Sequence, residues 1–249
     1  VTLVSHKYKF IYVKNFKVAG TSVEDFFSKW CVNPNSDFTY QTTNSHDKVQ
    51  FLDEGLVIED ATGDEHIDDY GIVGRTNGLG SDVWRGHTPV AKIKKAFSQD
   101  DNLGLEKFDE YLKFCVVRNP YDKVVSLYHW QTQHPLGQKP IDLVGQDDIS
   151  FADWLKFAQD NFLPNNLIIA HGVEGKSMCD YFIRYEHLEE DIVKLCEKLG
   201  LPDFDINDLP KHKSGVRPNI HYREYYDDET RDIVYHAHRS EIELFGYEF

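Results

Sequence analysis

Along the chain, apolar residues fall into short continuous runs that alternate with helical stripes. Tyr8-Lys9-Phe10-Ile11-Tyr12-Val13 is rich in β-branched and aromatic residues and predicts a buried strand. After the loop Lys14–Gly20, Val23, Phe26, Phe27 and Trp30 recur at the i, i+3, i+4, i+7 spacing of a helix with one buried face. Thr21 or Ser22 is expected to cap this helix, and Thr21 with Glu24 fits a capping box. A second strand is expected over Tyr111–Val117 and a third over Tyr181–Tyr185. Helices are expected from Thr88-Pro89 to about Lys95, from Asn119-Pro120 onward, over Ser150–Phe162, over Leu188–Leu199 and over Asp228–Leu244. In the helix opened by Pro120, Tyr121, Val124, Val125 and Tyr128 form the buried stripe, and Ser126 points roughly 150° away from it. Strands alternating with helices predict a parallel sheet with helices on both faces.

Residues 33–82 break this rhythm. Between Asp47 and Asp69 stand nine carboxylates and a single Lys or Arg, Lys48, which suits an inserted hairpin or surface flap. With 249 residues, 41% of them hydrophobic, the chain can bury the core of one α/β domain over 1–249, carrying that acidic insertion.

Charge changes the picture next. Lys and Arg number 27 against 42 Asp and Glu, a net charge of −15. No global positive field exists to attract nucleic acid or an anionic membrane, so an anionic ligand must be captured by local features. The four cysteines, Cys31, Cys115, Cys179 and Cys196, are widely spaced and read as buried free thiols, with one disulfide as the alternative. No apolar run is long enough to span a membrane, and the start shows no signal pattern. The expectation is a cytoplasmic protein, the alternative a lumenal domain cut from a membrane-anchored parent.

Candidate chemistry concentrates in two segments. In Lys17-Val18-Ala19-Gly20-Thr21-Ser22, backbone N–H groups at a helix start can bind phosphate oxygens without net positive charge. Lys17 adds a point charge, while Thr21 and Ser22 add hydroxyl donors. No Walker A pattern occurs, since the lysine here precedes the glycine. The second segment is Arg118-Asn119-Pro120-Tyr121-Asp122-Lys123-Val124-Val125-Ser126-Leu127-Tyr128. There an arginine leaving a strand and a serine two helical turns later can meet on one anionic group.

Together the segments resemble those of the 3′-phosphoadenosine 5′-phosphosulfate (PAPS)-dependent sulfotransferases, in particular the carbohydrate O-sulfotransferases. The resemblance extends to Ile183-Arg184-Tyr185-Glu186-His187-Leu188 and to Leu244-Phe245-Gly246-Tyr247, and leaves out 33–82 and 134–150. It implies a three-layer, P-loop-like α/β fold with a central parallel sheet flanked by helices. It also implies that Lys17, Ala19, Gly20, Thr21 and Ser22 hold the 5′-phosphosulfate, and that Arg118 and Ser126 hold the 3′-phosphate. The late basic loop at Lys211–Arg217 would close over the nucleotide through Lys213, Ser214 and Arg217. Lys17 would also stabilise the leaving oxygen, which departs as adenosine 3′,5′-bisphosphate.

The acceptor would be a hydroxyl-bearing molecule such as a glycan. His87, in Arg85-Gly86-His87-Thr88, resembles the base-bearing segment of uronyl 2-O-sulfotransferases. An imidazole just before a helix start is disfavoured as a cation, which suits a general base. Glu24 is the positional alternative, although a capping box explains it better. Arg75, Arg85, Lys92, Lys94 and Lys95 could form a basic patch near this base. His236 and His238 face different directions on one helix and complete no metal set. Two other readings stand beside this one. A nucleotide-dependent kinase lacks a Walker A lysine and an acidic Mg²⁺ ligand after a strand. A non-catalytic nucleotide-binding module would have little use for both Lys17 and His87.

Overall fold

The computed structural model describes residues 2–38, 49–52, 55–58, 65–74, 83–84, 86–133, 149–161, 163–170, 177–212 and 217–249. These residues pack as two compact units. One draws on Val1–Lys48, Ile58–Val117 and Asn166–His212, the other on Val49–Val57, Arg118–Asn165 and Lys213–Phe249.

The first unit is built on a six-stranded sheet. In chain order its strands are β1 (Leu3–Ser5), β2 (Phe10–Val13), β5 (His66–Ile67), β6 (Gly71–Val73), β7 (Leu112–Val117) and β8 (Tyr181–Arg184), arranged β5-β6-β1-β2-β7-β8. Val49–Leu52 (β3) and Gly55–Ile58 (β4) pair separately, inside the segment expected to carry a hairpin. The expected parallel sheet holds only for β2, β7 and β8, where Val13 pairs with Cys115 and Val116 with Ile183. The sheet as a whole is mixed, because β1 pairs antiparallel with both β2 and β6, and β5 with β6. Its physical reason is the short turn at His6–Lys9, which can return the chain only as a hairpin, whereas parallel pairing needs a long crossover.

Side-chain alternation along the strands feeds two faces. Phe10, Tyr12, Phe114 and Val116 join Val23, Phe26 and Phe27 of α1 (Gly20–Ser28) in one core. Ile192, Leu195 and Cys196 of the helix Leu188–Leu199 complete it. Ile11, Val13 and Cys115, which alternate with those residues, are fully buried as well, so the strands are covered on both faces. A further aromatic cluster joins Trp84, Tyr111, Phe97 of α2 (Val90–Gln99) and Phe108 of α3 (Gly104–Glu110). Pro89 is the cap of α2, one position later than the Thr88 cap expected from the sequence. All four cysteines are free and buried, and burial pushes the Cys196 thiol up to about 12.

The second unit is helical. α4 (Pro120–Gln133), α5 (Phe151–Asn161) and, after the short α6 (Leu167–Ala170) and α7 (Leu188–Leu199) of the first unit, α8 (Asp228–Phe245) carry its structure. Tyr121, Val124, Val125, Trp154, Leu155, Val234 and Ile242 make its core. α4 is buried well beyond the expected stripe, since Lys123, His129 and Gln131 are also buried. No helix among the described residues is long and apolar enough to cross a membrane.

Lys123 is sealed at 2% side-chain exposure against Glu241 of α8, with Nζ 2.7 Å from Oε2. His238 Nδ1 lies 2.9 Å from the same oxygen, at a residue whose backbone leaves helical geometry and kinks α8. Burial, then the Lys123 charge, holds the His238 imidazole below its ordinary range. Burial alone would raise the Glu241 carboxyl, but Lys123 and His238 outweigh it and hold that carboxyl low. Both depressed groups add stability that is present above their unfolded values and lost on acidification. Stability should therefore fall as pH drops below 6.5 through His238, and further below 4.5 through Glu241. Urea unfolding across this range should show both steps, and His238→Gln should shrink the first without abolishing it, because burial also lowers His6 and His129. Glu241→Ala, which strands the Lys123 charge, should cost about 3–5 kcal/mol in the same measurement.

Candidate functional site

β2 ends at Val13 and β7 at Val117, and because the two strands are parallel they leave the sheet at the same edge. Asn15 ties these ends together, donating through Nδ2 to the Val116 carbonyl at 2.8 Å. In open α/β sheets this carboxyl edge is where ligands bind.

The loop that follows β2 is bent by two non-glycine residues in the left-handed region, Lys17 at φ 56° and Ala19 at φ 57°. Ala19 is the cap of α1, and its carbonyl accepts from Ser22 N and Val23 N. The helix therefore begins at Gly20, and neither Thr21 nor Ser22 caps it. The expected capping box is absent, because a left-handed Ala19 turns the chain into the helix without a side-chain acceptor. The first turn of a helix has N–H groups that no intrahelical carbonyl reaches, and in α1 the first two belong to Gly20 and Thr21. Glu24 does something else: its carboxylate, 1% exposed, takes Lys14 Nζ at 2.7 Å. The Lys14 stem crosses Gly20 so closely that a Cβ there would lie 2.8 Å from Lys14 Cε. A side chain at position 20 would therefore push the Lys14 stem aside.

His87 also has left-handed backbone, at φ 63°. Its ring lies flat on Phe16, 3.8 Å between centroids and 6° between planes. Phe16 is held in turn by Asn166, which accepts from Phe16 N at 2.9 Å and donates to Phe16 O at 3.1 Å. The structure thus joins the proposed base to the start of the phosphate-type loop through one aromatic residue. Arg75 and Arg85 of the expected basic patch lie outside the described residues. Lys94 is 3.6 Å from Asp109.

In the second unit, Asn119 starts α4 as anticipated: Oδ1 accepts from Tyr121 N at 3.0 Å, and the carbonyl accepts from Lys123 N. Its Nδ2 donates to the Glu248 carbonyl at 2.9 Å, so the terminal Phe-Gly-Tyr segment docks on the arginine-bearing motif. Arg118 is buried, and its Nε and Nη2 both reach Asp122 Oδ2, at 2.8 and 2.7 Å. Arg217 Nη1 donates to the other oxygen, Oδ1. Ser126 is half-buried and stands four residues after Asp122, on the same face of α4.

Lys213 and Ser214 lie outside the described residues. His212 docks on α1, its N–H donating to Ser22 Oγ at 3.2 Å and its Nε2 lying 2.8 Å from Asp25 Oδ2. Ser22, which accepts the His212 N–H, is buried. In the Ile183–Leu188 motif, Arg184 is structural: its Nε and Nη2 hold Asp191 of α7 in a bidentate pair at 2.8 Å each.

Sequence reasoning missed Lys14, Asn166 and Asp122. The pairs Asn166–Phe16 and Arg217–Asp122 join residues far apart in sequence, and no local spacing announces them. Asn166→Ala should remove both hydrogen bonds to the half-buried Phe16 backbone and lower stability by about 1–3 kcal/mol. Denaturant unfolding of the variant measures this.

The model of the sulfotransferase family matches residues 2–248. The chain is also similar to an uncharacterized protein of Archaeoglobus fulgidus, with 35% identity over 107 residues covering 41% of this chain and 79% of that protein. No solved structure matches it. A match of this extent, over a chain whose two motif segments fold as described, assigns the protein: it belongs to the sulfotransferase family.

Proposed function

We propose that the protein, acting as one sulfotransferase domain, moves a sulfuryl group from PAPS to an acceptor hydroxyl on a carbohydrate or other hydroxylated small molecule. The observation that carries this reading is the left-handed backbone at Lys17, Ala19 and His87. Such non-glycine geometry costs on the order of 1–3 kcal/mol per residue and persists where a fold over-determines it, commonly at functional sites. Of the other two positions of this kind among the described residues, Lys9 sits in a hairpin turn and Asp203 in a turn after α7.

The chemistry then follows from the residues. The loop at Lys17–Ser22 would take the 5′-phosphosulfate on the N–H groups of Gly20 and Thr21, aided by the Thr21 and Ser22 hydroxyls. Arg118, Ser126 and Arg217 would take the 3′-phosphate, with Lys213 and Ser214 as further donors. Two guanidinium groups and a hydroxyl suit a phosphate monoester better than they suit a ribose hydroxyl. His87 would accept the acceptor's proton as its oxygen attacks sulfur. The bond from sulfur to the bridging phosphate oxygen breaks, and Lys17 would stabilise the charge that develops there. Stacking on Phe16 fixes the plane of the imidazole for this transfer. Glu24, the other base considered, is sealed against Lys14, which favours His87.

Calorimetric titration should show binding of adenosine 3′,5′-bisphosphate in preference to ATP with Mg²⁺. Binding of ATP alone would overturn the reading. In transfer assays Lys17→Ala should lower kcat by about 10²–10³-fold. His87→Ala should lower kcat by roughly 10²–10⁴-fold while leaving bisphosphate affinity nearly unchanged. Intact transfer by either variant would remove that residue from the mechanism.

A further inference from the structure

Two guanidinium groups brought together repel, and in the second unit something must hold them. Asp122 is placed to do so. One of its oxygens takes both Nε and Nη2 of Arg118, and the other takes Nη1 of Arg217. Burial opposes its charge, but Arg118 and Arg217 more than offset this and hold the Asp122 carboxyl below the usual carboxylate range. It is therefore ionised at neutral pH, and the three groups together carry a single positive charge.

Arg217 is anchored further. Its Nη2 donates to the Ile220 carbonyl at 2.9 Å, and its guanidinium lies 5.9 Å from the centre of the Tyr225 ring. The Tyr225 hydroxyl is 2.9 Å from His129 Nε2, and burial followed by the Arg217 charge keeps that imidazole below its ordinary range. A guanidinium has five N–H donors in a fixed plane, so engaging one edge orients the group without exhausting its donor set. The side chains of Arg118, Asp122 and Arg217 are only 8%, 17% and 22% exposed, so this arrangement exists within the protein before any ligand arrives.

We infer that Asp122 is a positioning residue, which preassembles Arg118 and Arg217 into one cradle and thereby sets the preference for a nucleotide with a ribose phosphate over one without it. The inference rests on the PAPS reading above. The opposing idea is that Asp122 is a counter-ion occupying the place of the phosphate. The two differ in sign. Removing a positioner scatters the arginines and weakens phosphate binding, although the local charge becomes more positive. Removing a competitor strengthens it.

Titration of the whole protein with adenosine 3′,5′-bisphosphate and with adenosine 5′-monophosphate separates them. Wild type should prefer the bisphosphate. In Asp122→Asn that preference should shrink by about tenfold or more, the scale of a lost charge-assisted contact, while monophosphate affinity stays nearly constant. Asp122→Glu, which keeps the carboxylate, should recover part of the preference, a result that a merely structural role would not produce. Thermal melting monitors folding, and Asp122→Ser carries the same measurement should the asparagine variant fail to fold. An undiminished or increased preference in the uncharged variant overturns the inference alone. A wild type that binds both nucleotides alike overturns the PAPS reading and, with it, this inference.

Discussion

Positive charge in this protein is held in place by carboxylates, and the organisation of both units depends on that. The chain carries a net charge of −15, so cations cannot act through a general field. Each of the well-buried cations described above has its carboxylate. Lys14 lies on Glu24 beneath the first helix, Arg118 and Arg217 share Asp122, and Lys123 is sealed on Glu241. Such pairs are weak sources of stability, because desolvation offsets much of the attraction. What they contribute is direction: a guanidinium or ammonium group fixed to one carboxylate presents its remaining geometry in one orientation.

The same logic separates binding from rigidity in the two motif segments. Lys14 and Lys17 stand three residues apart, yet Lys14 packs on Gly20 and pairs inward while Lys17 sits in left-handed backbone. On α4, Asp122 and Ser126 share a face and Lys123 is turned into the core. One helix thus anchors itself to α8 and presents the Asp122 face on which Arg118 and Arg217 meet. The terminal residues reinforce this through the Asn119 contact to Glu248 and the packing of Phe249 on Tyr121 and Tyr226.

How much of this could be read in advance depended on whether it was local. The strands at Phe10–Val13, Leu112–Val117 and Tyr181–Arg184 are dense apolar runs, and the helix at Leu188–Leu199 keeps strict periodicity before Gly200, so both kinds were legible. β1 and β6 are three residues each, too short to show alternation, and without them the sheet reads as parallel. The α1 cap misled because Thr21 and Glu24 have the right spacing for a box, whereas Ala19 in left-handed geometry starts the helix earlier. Lys17, His87, Arg118 and Arg217 were legible as types of chemistry. Asp122, which holds the two arginines, and Asn166, which holds the Phe16 stacked on His87, were not, because a carboxylate or amide on a surface-like pattern reveals its partner only in three dimensions.

The account's central claim is that Lys17, His87 and the two arginines held by Asp122 serve sulfuryl transfer. It is tested most directly by incubating the protein with sulfur-labelled PAPS and a panel of glycans and small alcohols, and quantifying both products. The account predicts label on an acceptor oxygen and an equal amount of adenosine 3′,5′-bisphosphate. Label that stays on PAPS with every acceptor, in protein that nonetheless binds the bisphosphate, would contradict it.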